Sequence, residues 1–240
     1  MKIDYMDEFQ YIKFVQGKAN IIFFTAYNDA DFNMMSDNFT NNINKVQEMF
    51  CLRDVGYSKQ VHGDVINIYD GLVKCGDAIL TKEKRVAIGV FTADCVPVII
   101  YDGARDLCAA VHSGWKGTYS QISYSTINKM LQEFGSKAED ISVYIGPHMR
   151  CCCYEVGQEL IDKFTSDDLY KSDEIIVDRK LNLAKCIELQ CIKAGVSKDK
   201  IYDVNLCTGC SERTSGIKLH SYRRRKEQSG RLFSLVYMDE

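Results

Sequence analysis

Short runs of apolar residues dominate the middle of the chain and predict buried β-strands. Residues 86–91, 96–102 and 107–114 are rich in β-branched or small apolar side chains, and Asp, Gly or Pro bounds each run. Runs of this length are typical of strands that are covered on both faces of a sheet. We therefore expect three neighbouring buried strands. Earlier in the chain, residues 20–25 predict another strand, which enters a long polar loop.

Apolar residues with helical spacing lie between and after these strands. The i, i+3, i+4, i+7 pattern that ends at Phe134, followed by Gly135 as a C-terminal cap, predicts a helix over residues 118–134. Other segments predict helices at 43–50, 156–164 and 181–194, and strands at 141–145 and 201–204. Strands and helices do not alternate in a strict βαβ order. We therefore expect an α+β fold with mixed β-sheets layered with helices, in a single compact domain of residues 1–240.

Composition excludes several classes of protein. Hydrophobic residues make up 46% of the chain and charged residues 26%, which is typical of a globular protein. The formal net charge of −3 provides no general positive field for a polyanion, so we expect no nucleic-acid partner. The basic cluster at residues 223–226 could meet a phosphate, although such clusters are usually solvated surface.

The number of cysteines and the length of the apolar runs indicate where in the cell the protein is located. Eleven cysteines could suggest a disulfide scaffold, but a chain of 240 residues is too long for the small secreted class, and it opens with charged residues rather than an apolar signal segment. We expect reduced thiols and a cytoplasmic location. No apolar run approaches eighteen residues, so no membrane span is expected. The sequence does not indicate an oligomeric state.

Histidine, a common metal ligand and acid/base group, is scarce in the chain. The chain has four histidines, and two of them, His62 and His112, lie next to or near a glycine at the predicted end of a strand. A third candidate, Cys95, is predicted to end an apolar strand. A catalytic zinc ion takes three protein ligands and leaves a fourth position open, and two imidazoles and a thiolate fit that scheme. Spacing alone leaves open that all three are ordinary hydrogen-bonded or buried residues.

A resemblance to a known family is carried by motifs along nearly the whole chain from about residue 20. The chain is similar to the bacterial YfiH-type family, also called the laccase-domain or multicopper polyphenol oxidase family. The order and spacing of these motifs are specific to it. The matching motifs are Lys59-Gln60-Val61-His62-Gly63, Gly76-Asp77-Ala78, Ala93-Asp94-Cys95, Ala110-Val111-His112-Ser113-Gly114-Trp115, Ile145-Gly146-Pro147, Cys153-Tyr154-Glu155-Val156-Gly157, Ser221-Tyr222-Arg223-Arg224 and Gly230-Arg231.

The resemblance implies a zinc-dependent purine nucleoside phosphorylase. Members of the family cleave adenosine, inosine and methylthioadenosine with phosphate, and some deaminate adenosine. The metal ligands implied for this chain are His62, Cys95 and His112. Purine nucleosides and phosphate are thus the expected partners.

Older names of the family suggest copper, which the composition argues against. A multicopper oxidase holds several coppers mainly through imidazoles, and four histidines are too few for such clusters. The sequence also has no His-x-His pair. Zinc, which the resemblance implies, stays the expected cofactor, and copper bound loosely in vitro stays an alternative.

Three further residues are candidates for the reaction. Asp77 could act as the acid or base beside the metal, or it could only shape a turn. Arg223 and Arg231 are candidate phosphate ligands, because a guanidinium group binds phosphate in bidentate fashion. Asp94, next to Cys95, could orient a ligand or merely end a strand.

Some features leave other functions open. The family usually has an Arg-x-Gly-Gly pattern after its first strand, whereas this chain has Tyr27 at the arginine position and no glycine there. A catalytically weakened binding protein is therefore one alternative. A metal-independent cysteine hydrolase that uses Cys95 and His112 is another. The pair in Cys207-Thr208-Gly209-Cys210 is a weak zinc or redox signal on its own, and we interpret it, like Cys151 to Cys153, as mostly structural.

Overall fold

Two six-stranded β-sheets lie face to face in the computed structural model of the protein, which describes residues 2–6, 8–171 and 174–240. Strand numbers follow the chain, whereas the order within each sheet is spatial. The first sheet contains β1 (Lys2–Met6), β2 (Phe9–Gln16), β3 (Ala19–Phe24), β14 (Leu232–Met238), β7 (Val86–Thr92) and β4 (Asp54–Tyr57). The second sheet contains β13 (Ile201–Asp203), β10 (Ile141–Ile145), β8 (Val96–Asp102), β9 (Leu107–Ser113), β6 (Ala78–Thr81) and β5 (Ile66–Ile68).

Helices cover the outer face of each sheet. The α-helices are α1 (Phe39–Met49), α2 (Trp115–Tyr119), α3 (Ile122–Phe134), α4 (Gln158–Thr165), α5 (Leu183–Lys193), α6 (Ser211–Ser215) and α7 (Tyr222–Arg225). Short 3-10 helices occupy Tyr27–Asp29, Ala138–Asp140, Asp168–Tyr170, Lys198–Lys200 and Lys226–Gln228, and a small hairpin pairs β11 (Ile176–Val177) with β12 (Lys180–Leu181). No helix in these described ranges is long and apolar enough to cross a membrane.

Alternating side chains build three apolar layers. In β8, Val98 and Ile100 face α3 and α5, whereas Ile99 and Tyr101 face the first sheet. A third layer packs the other face of the first sheet against α1, with Val46 of that helix among its fully buried members. Parallel pairs such as β4–β7 and β10–β13 occur beside antiparallel pairs in both sheets. The predicted α+β fold with mixed sheets is confirmed.

Two details of the predicted elements are wrong. Strands β8 and β9 are neighbours as expected, but β7 lies in the first sheet between β14 and β4. One face of β7 packs against the second sheet, and its other face lies in the layer that contains α1. The helix predicted over residues 118–134 is two helices, because Gln121 adopts a left-handed backbone with φ 57° and separates α2 from α3. Gly135 ends α3 in the left-handed conformation, as expected.

The remaining predicted elements differ from the structure mainly at their ends. The helix expected at 43–50 starts earlier, at Phe39, and those expected at 156–164 and 181–194 are α4 and α5. The strands expected at 20–25, 141–145 and 201–204 are β3, β10 and β13. The chain around these elements therefore follows the apolar pattern closely.

Candidate metal centre

Strand pairing collects three of the predicted site residues at one end of the second sheet. The antiparallel register of β8 and β9 pairs Val96 with Ser113, so Cys95, just before β8, lies beside the end of β9. The register of β6 and β9 pairs Ala78 with Val111, which places Asp77 beside His112. The amide of His112 donates to the Asp77 carbonyl oxygen at 2.7 Å. The sheet itself thus brings distant parts of the sequence together.

The Asp77 carboxylate gathers the loop that carries His62. It is fully buried and accepts three backbone N–H bonds, from Val61 at 3.2 Å, His62 at 2.9 Å and Gly63 at 2.8 Å. His62 has a left-handed backbone with φ 59°, which turns the chain sharply around the carboxylate. Three converging amides form an anion-binding concavity. The carboxylate therefore fixes the position of the His62 backbone.

The same carboxylate orients His112. Oδ1 of Asp77 lies 2.8 Å from Nδ1 of His112, and both side chains are buried. This contact leaves Nε2 as the ring nitrogen that can face Cys95. Burial raises the pKa of Asp77, but the hydrogen bonds from His112 and Gly63 outweigh it and hold the pKa below its ordinary value. Asp77 is thus an ionised group with both oxygens engaged.

His62, Cys95 and His112 converge. One potential ligand atom from each lies within 4.8 Å of the other two, and the two imidazole rings meet edge to face with their centroids 4.8 Å apart. Gly114 makes room for this approach, since a Cβ there would lie 2.9 Å from Cys95 Sγ and 3.2 Å from His62 Cδ2. The structure brings the three predicted ligands together, and their metal-binding role stays a prediction.

The charges in the cluster favour a thiolate. Burial raises the pKa of Cys95, but attraction to His112 and hydrogen bonds from His112 and His62 outweigh it, so the pKa falls to about 6. Burial lowers the pKa of His112, but the Cys95 thiolate and Asp77 outweigh it and raise the pKa to about 9. A thiolate beside two imidazoles is a donor set for a borderline-soft ion such as Zn²⁺.

Asp94 links the cluster to helix α7, which carries Arg223. Asp94 has a left-handed backbone with φ 91°, and its carboxylate accepts from Thr208 Oγ1 at 2.6 Å and from the Arg223 amide at 2.6 Å. The Arg223 guanidinium donates to the Glu155 carbonyl oxygen at 2.9 Å and lies 5.5 Å from the centre of the Tyr154 ring. Arg223 is exposed. Its guanidinium can therefore meet an anion from solvent.

Tyr154 lies between Arg223 and the cluster and was assigned no role from the sequence. Burial and the negative charge of Cys95 raise the pKa of Tyr154, and Arg223 opposes them, with the result that the pKa is about 12. These interactions place Tyr154 within electrostatic range of both partners. Its match to the Cys-Tyr-Glu-Val motif was the one signal that could have found it.

Arg231 occupies a different setting. Its guanidinium donates to the carbonyl oxygens of Ser229 and Gly230, at 2.8 and 3.1 Å, and its amide donates to Asp31 at 2.7 Å. Within the part of the chain that the structure describes, no hydrogen bond joins Arg231 to His62, Cys95 or His112. Its predicted role in phosphate binding stays a prediction, and Arg223 is the better placed of the two arginines.

The altered segment after β3 keeps a glycine-like backbone. Asn28 and Asp29 have φ values of 50° and 56°, in the left-handed region that glycine adopts freely and Asn and Asp tolerate best among other residues. Tyr27, at the expected arginine position, is 39% exposed and packs edge to face on Tyr5. The segment therefore loses a positive charge without losing its turn.

The Cys207-x-x-Cys210 pair does not stand alone. Cys152 and Cys153 approach it, so that the four sulfur atoms lie within 4.8 Å of one another. The sequence interpretation of these cysteines as merely structural residues lacked the second pair, because the two pairs are far apart in the chain. The protein thus has a second group of potential metal ligands.

Comparison with known proteins agrees with this architecture. A sequence profile for the family described as multi-copper polyphenol oxidoreductase laccase matches residues 28–239. The chain belongs to this family. The chain is 44% identical over 238 residues to a purine nucleoside phosphorylase of Clostridium acetobutylicum, covering 98% of this chain and 99% of that protein.

Two further relatives widen the comparison. The chain is 31% identical to adenosine deaminase RL5, from an unknown prokaryotic organism, over 67% of this chain and 62% of that protein. The crystal structure of the Bacillus licheniformis hypothetical protein YfiH superposes with a TM-score of 0.83 at 26% identity, covering 92% of this chain and 93% of that one. The predicted resemblance to the YfiH-type family is confirmed.

Proposed function

We propose that this protein is a zinc-dependent purine nucleoside phosphorylase that acts on adenosine, inosine and methylthioadenosine. The observation that carries the proposal is the convergence of His62, Cys95 and His112 in a chain that is similar over its full length to a named purine nucleoside phosphorylase. The reaction would convert nucleoside and phosphate to free base and the sugar 1-phosphate, which is ribose 1-phosphate from adenosine or inosine and 5-methylthioribose 1-phosphate from methylthioadenosine.

The donor set fits a catalytic zinc site. Two imidazoles and a thiolate are three ligands of the kinds that zinc takes, and a fourth position is left for water or substrate. The Asp77 contact with Nδ1 of His112 is the carboxylate–histidine arrangement that commonly orients zinc ligands. When bound, the ion would supply Lewis-acid polarisation of an oxygen or activation of a bound water.

Asp77, Arg223 and Tyr154 would each have a separate role in binding or positioning. Asp77 holds the His62 loop and orients His112, and these contacts occupy both of its oxygens. This arrangement favours a positioning role for Asp77 over the acid/base role expected from the sequence. Arg223, held by Asp94 and exposed beside Tyr154, would bind phosphate. Tyr154 would exclude water from one side of the bound nucleoside.

Deamination of adenosine is a second activity to be tested for the same site. It is suggested by the relative named adenosine deaminase RL5. Attack of an activated water at the purine ring needs an open metal position but no anion site. The absence of a phosphate requirement would therefore distinguish deamination from phosphorolysis.

A cysteine hydrolase is the alternative that a specific observation favours. Asp77, His112 and Cys95 form a carboxylate–imidazole–thiol series, and the lowered pKa of Cys95 would suit a nucleophile. Cys95 also contacts His62. A cysteine hydrolase would not need this second imidazole, whereas a metal site would use it as a ligand. Zinc content of the protein, with loss of that zinc in Cys95→Ala, separates the two functions.

A nucleoside panel tests the proposal directly. Adenosine, inosine and methylthioadenosine are incubated with zinc-loaded protein, with and without phosphate. The free base, the ribose 1-phosphate or 5-methylthioribose 1-phosphate, and any inosine formed from adenosine are separated by chromatography. Base release that requires phosphate supports phosphorolysis, and inosine formed from adenosine without phosphate supports deamination. No product from any nucleoside would favour the catalytically weakened binding protein.

A further inference from the structure

We propose that Cys152, Cys153, Cys207 and Cys210 bind a second zinc ion whose role is structural. The four Sγ atoms lie within 4.8 Å of one another, and those of Cys152 and Cys210 are 3.7 Å apart. Zinc–sulfur bonds of roughly 2.3 Å at tetrahedral angles separate sulfur atoms by about 3.8 Å. The observed spacing is therefore close to that of a tetrahedral four-sulfur site.

The backbone around Cys207 favours a thiolate. Its sulfur accepts N–H groups from Arg150 at 3.5 Å and from Gly209 at 3.3 Å. The Gly209 contact comes from within the Cys-x-x-Cys turn. Hydrogen bonds to the charged form of a group favour that form, and a zinc ligand must be deprotonated.

Gly209 permits the two cysteine pairs to meet. A Cβ at this position would lie 2.9 Å from Cys153 Cβ, 3.0 Å from Met149 Sδ and 3.1 Å from Cys153 Sγ. Any other residue would push the two loops apart. The glycine thus gives the cluster a close approach that apolar packing alone would not require.

The ligand set indicates a structural ion rather than a catalytic one. Four cysteines fill all tetrahedral positions, whereas a catalytic zinc keeps one position open. Four-sulfur tetrahedral sites take zinc or iron. Zinc is favoured here because Cys152 is exposed at the edge of the cluster, where zinc, having no redox chemistry, tolerates air and solvent.

The loops of the four-cysteine cluster contact Asp94, the residue before Cys95. Thr208, inside the Cys-x-x-Cys turn, donates to the Asp94 carboxylate at 2.6 Å, and the Met149 amide donates to the Asp94 carbonyl oxygen at 2.9 Å. Asp94 directly precedes Cys95. An ion that joins the two loops would therefore hold one wall of the first site in place.

Metal analysis of the full chain tests the inference. The protein is expressed without a metal-binding tag, and the numbers of zinc and iron ions per chain are measured by inductively coupled plasma mass spectrometry. We expect about two zinc ions in the wild type, about one in Cys207→Ser and about one in His112→Ala. Cys151→Ser is the matched control, because Cys151 adjoins the cluster in sequence and is not a member of it, and it should keep both ions.

Cobalt replacement gives a second readout in case Cys207→Ser fails to fold. Cys152 is exposed, so Cys152→Ser should fold. Cobalt in a four-thiolate site gives strong sulfur-to-cobalt charge-transfer bands, which should weaken markedly in Cys152→Ser. His112→Ala should keep these bands and lose only the smaller contribution of the single Cys95 thiolate of the first site. This outcome does not depend on the proposed nucleoside activity.

Three results would overturn the inference. One is a wild-type zinc content near one ion per chain that Cys207→Ser leaves unchanged and His112→Ala abolishes. Another is iron in place of zinc at the cluster. The third is a disulfide among these four cysteines. It would be detected as fewer than eleven free thiols in denatured, unreduced protein, since the sequence has eleven cysteines.

Discussion

Replacement of Asp77 by asparagine tests how far the first site depends on one buried carboxylate. Oδ1 accepts from the His62 amide and from His112 Nδ1, and Oδ2 accepts from the amides of Val61 and Gly63. Asparagine has one oxygen and one NH₂ group. In either orientation, its NH₂ group would face two N–H donors.

The size of the effect follows from these contacts. A hydrogen bond to a charged group contributes roughly 1.5–3 kcal/mol, so losing two would cost roughly 3–6 kcal/mol if the loop could not relax. Removing the partner of a ligating histidine typically lowers metal affinity about 10–100-fold. Because the positions of both His62 and His112 depend on Asp77, we expect Asp77→Asn to lower the affinity for zinc about 100-fold.

A competition titration against a chromophoric zinc chelator measures the affinity. Asp64→Asn is the matched control, since Asp64 is an exposed carboxylate in the same loop, and it should leave zinc affinity unchanged. If Asp77→Asn binds zinc as the wild type does and loses only turnover, Asp77 is an acid or base rather than a positioning residue. Its contacts with the His62 loop and His112 would then not set the zinc affinity.

Three further predictions concern single residues. Gly114→Ala should weaken zinc binding, because its Cβ would lie 2.9 Å from Cys95 Sγ, whereas Gly157→Ala, where a Cβ meets nothing within 4 Å, should not; zinc titration of both variants checks this. Iodoacetamide should alkylate Cys95 rapidly in zinc-stripped protein, because its pKa is about 6, and slowly once zinc is restored; equal rates would argue against ligation. Burial, aided by Arg150, lowers the pKa of His148 to about 4, so the unfolded chain binds more protons below about pH 6.5 and the free energy of unfolding should fall by about 2 kcal/mol at pH 5. Denaturant titrations should show a shallower fall in His148→Gln.

Much of the fold could be predicted from the apolar pattern. Strands β8, β9 and β10 are short apolar runs with clear boundaries, and Gly135 marks the end of α3. The assignment of β7 to a sheet could not be predicted, because a strand that is buried on both faces has the same pattern in either sheet. The break at Gln121 depends on local backbone conformation rather than on apolar spacing.

The two metal-ligand clusters differ in how far the sequence predicts them. His62, Cys95 and His112 lie in motifs that the resemblance to the family singles out. Strand pairing explains why Cys95 and His112 meet, and the amide bonds to the Asp77 carboxylate explain why His62 joins them. The four-cysteine cluster joins two loops whose separation in the chain gives no periodic signal. Its second pair, Cys152 and Cys153, becomes meaningful only when the loops are seen together.

An anomalous difference map from crystals of zinc-loaded protein, recorded at the zinc edge, tests the central claim most directly. We expect a peak about 2.0–2.3 Å from one atom each of His62, Cys95 and His112, with a fourth position free of protein ligands. No peak between these side chains in zinc-loaded crystals, or a peak enclosed by four protein ligands there, would contradict the account.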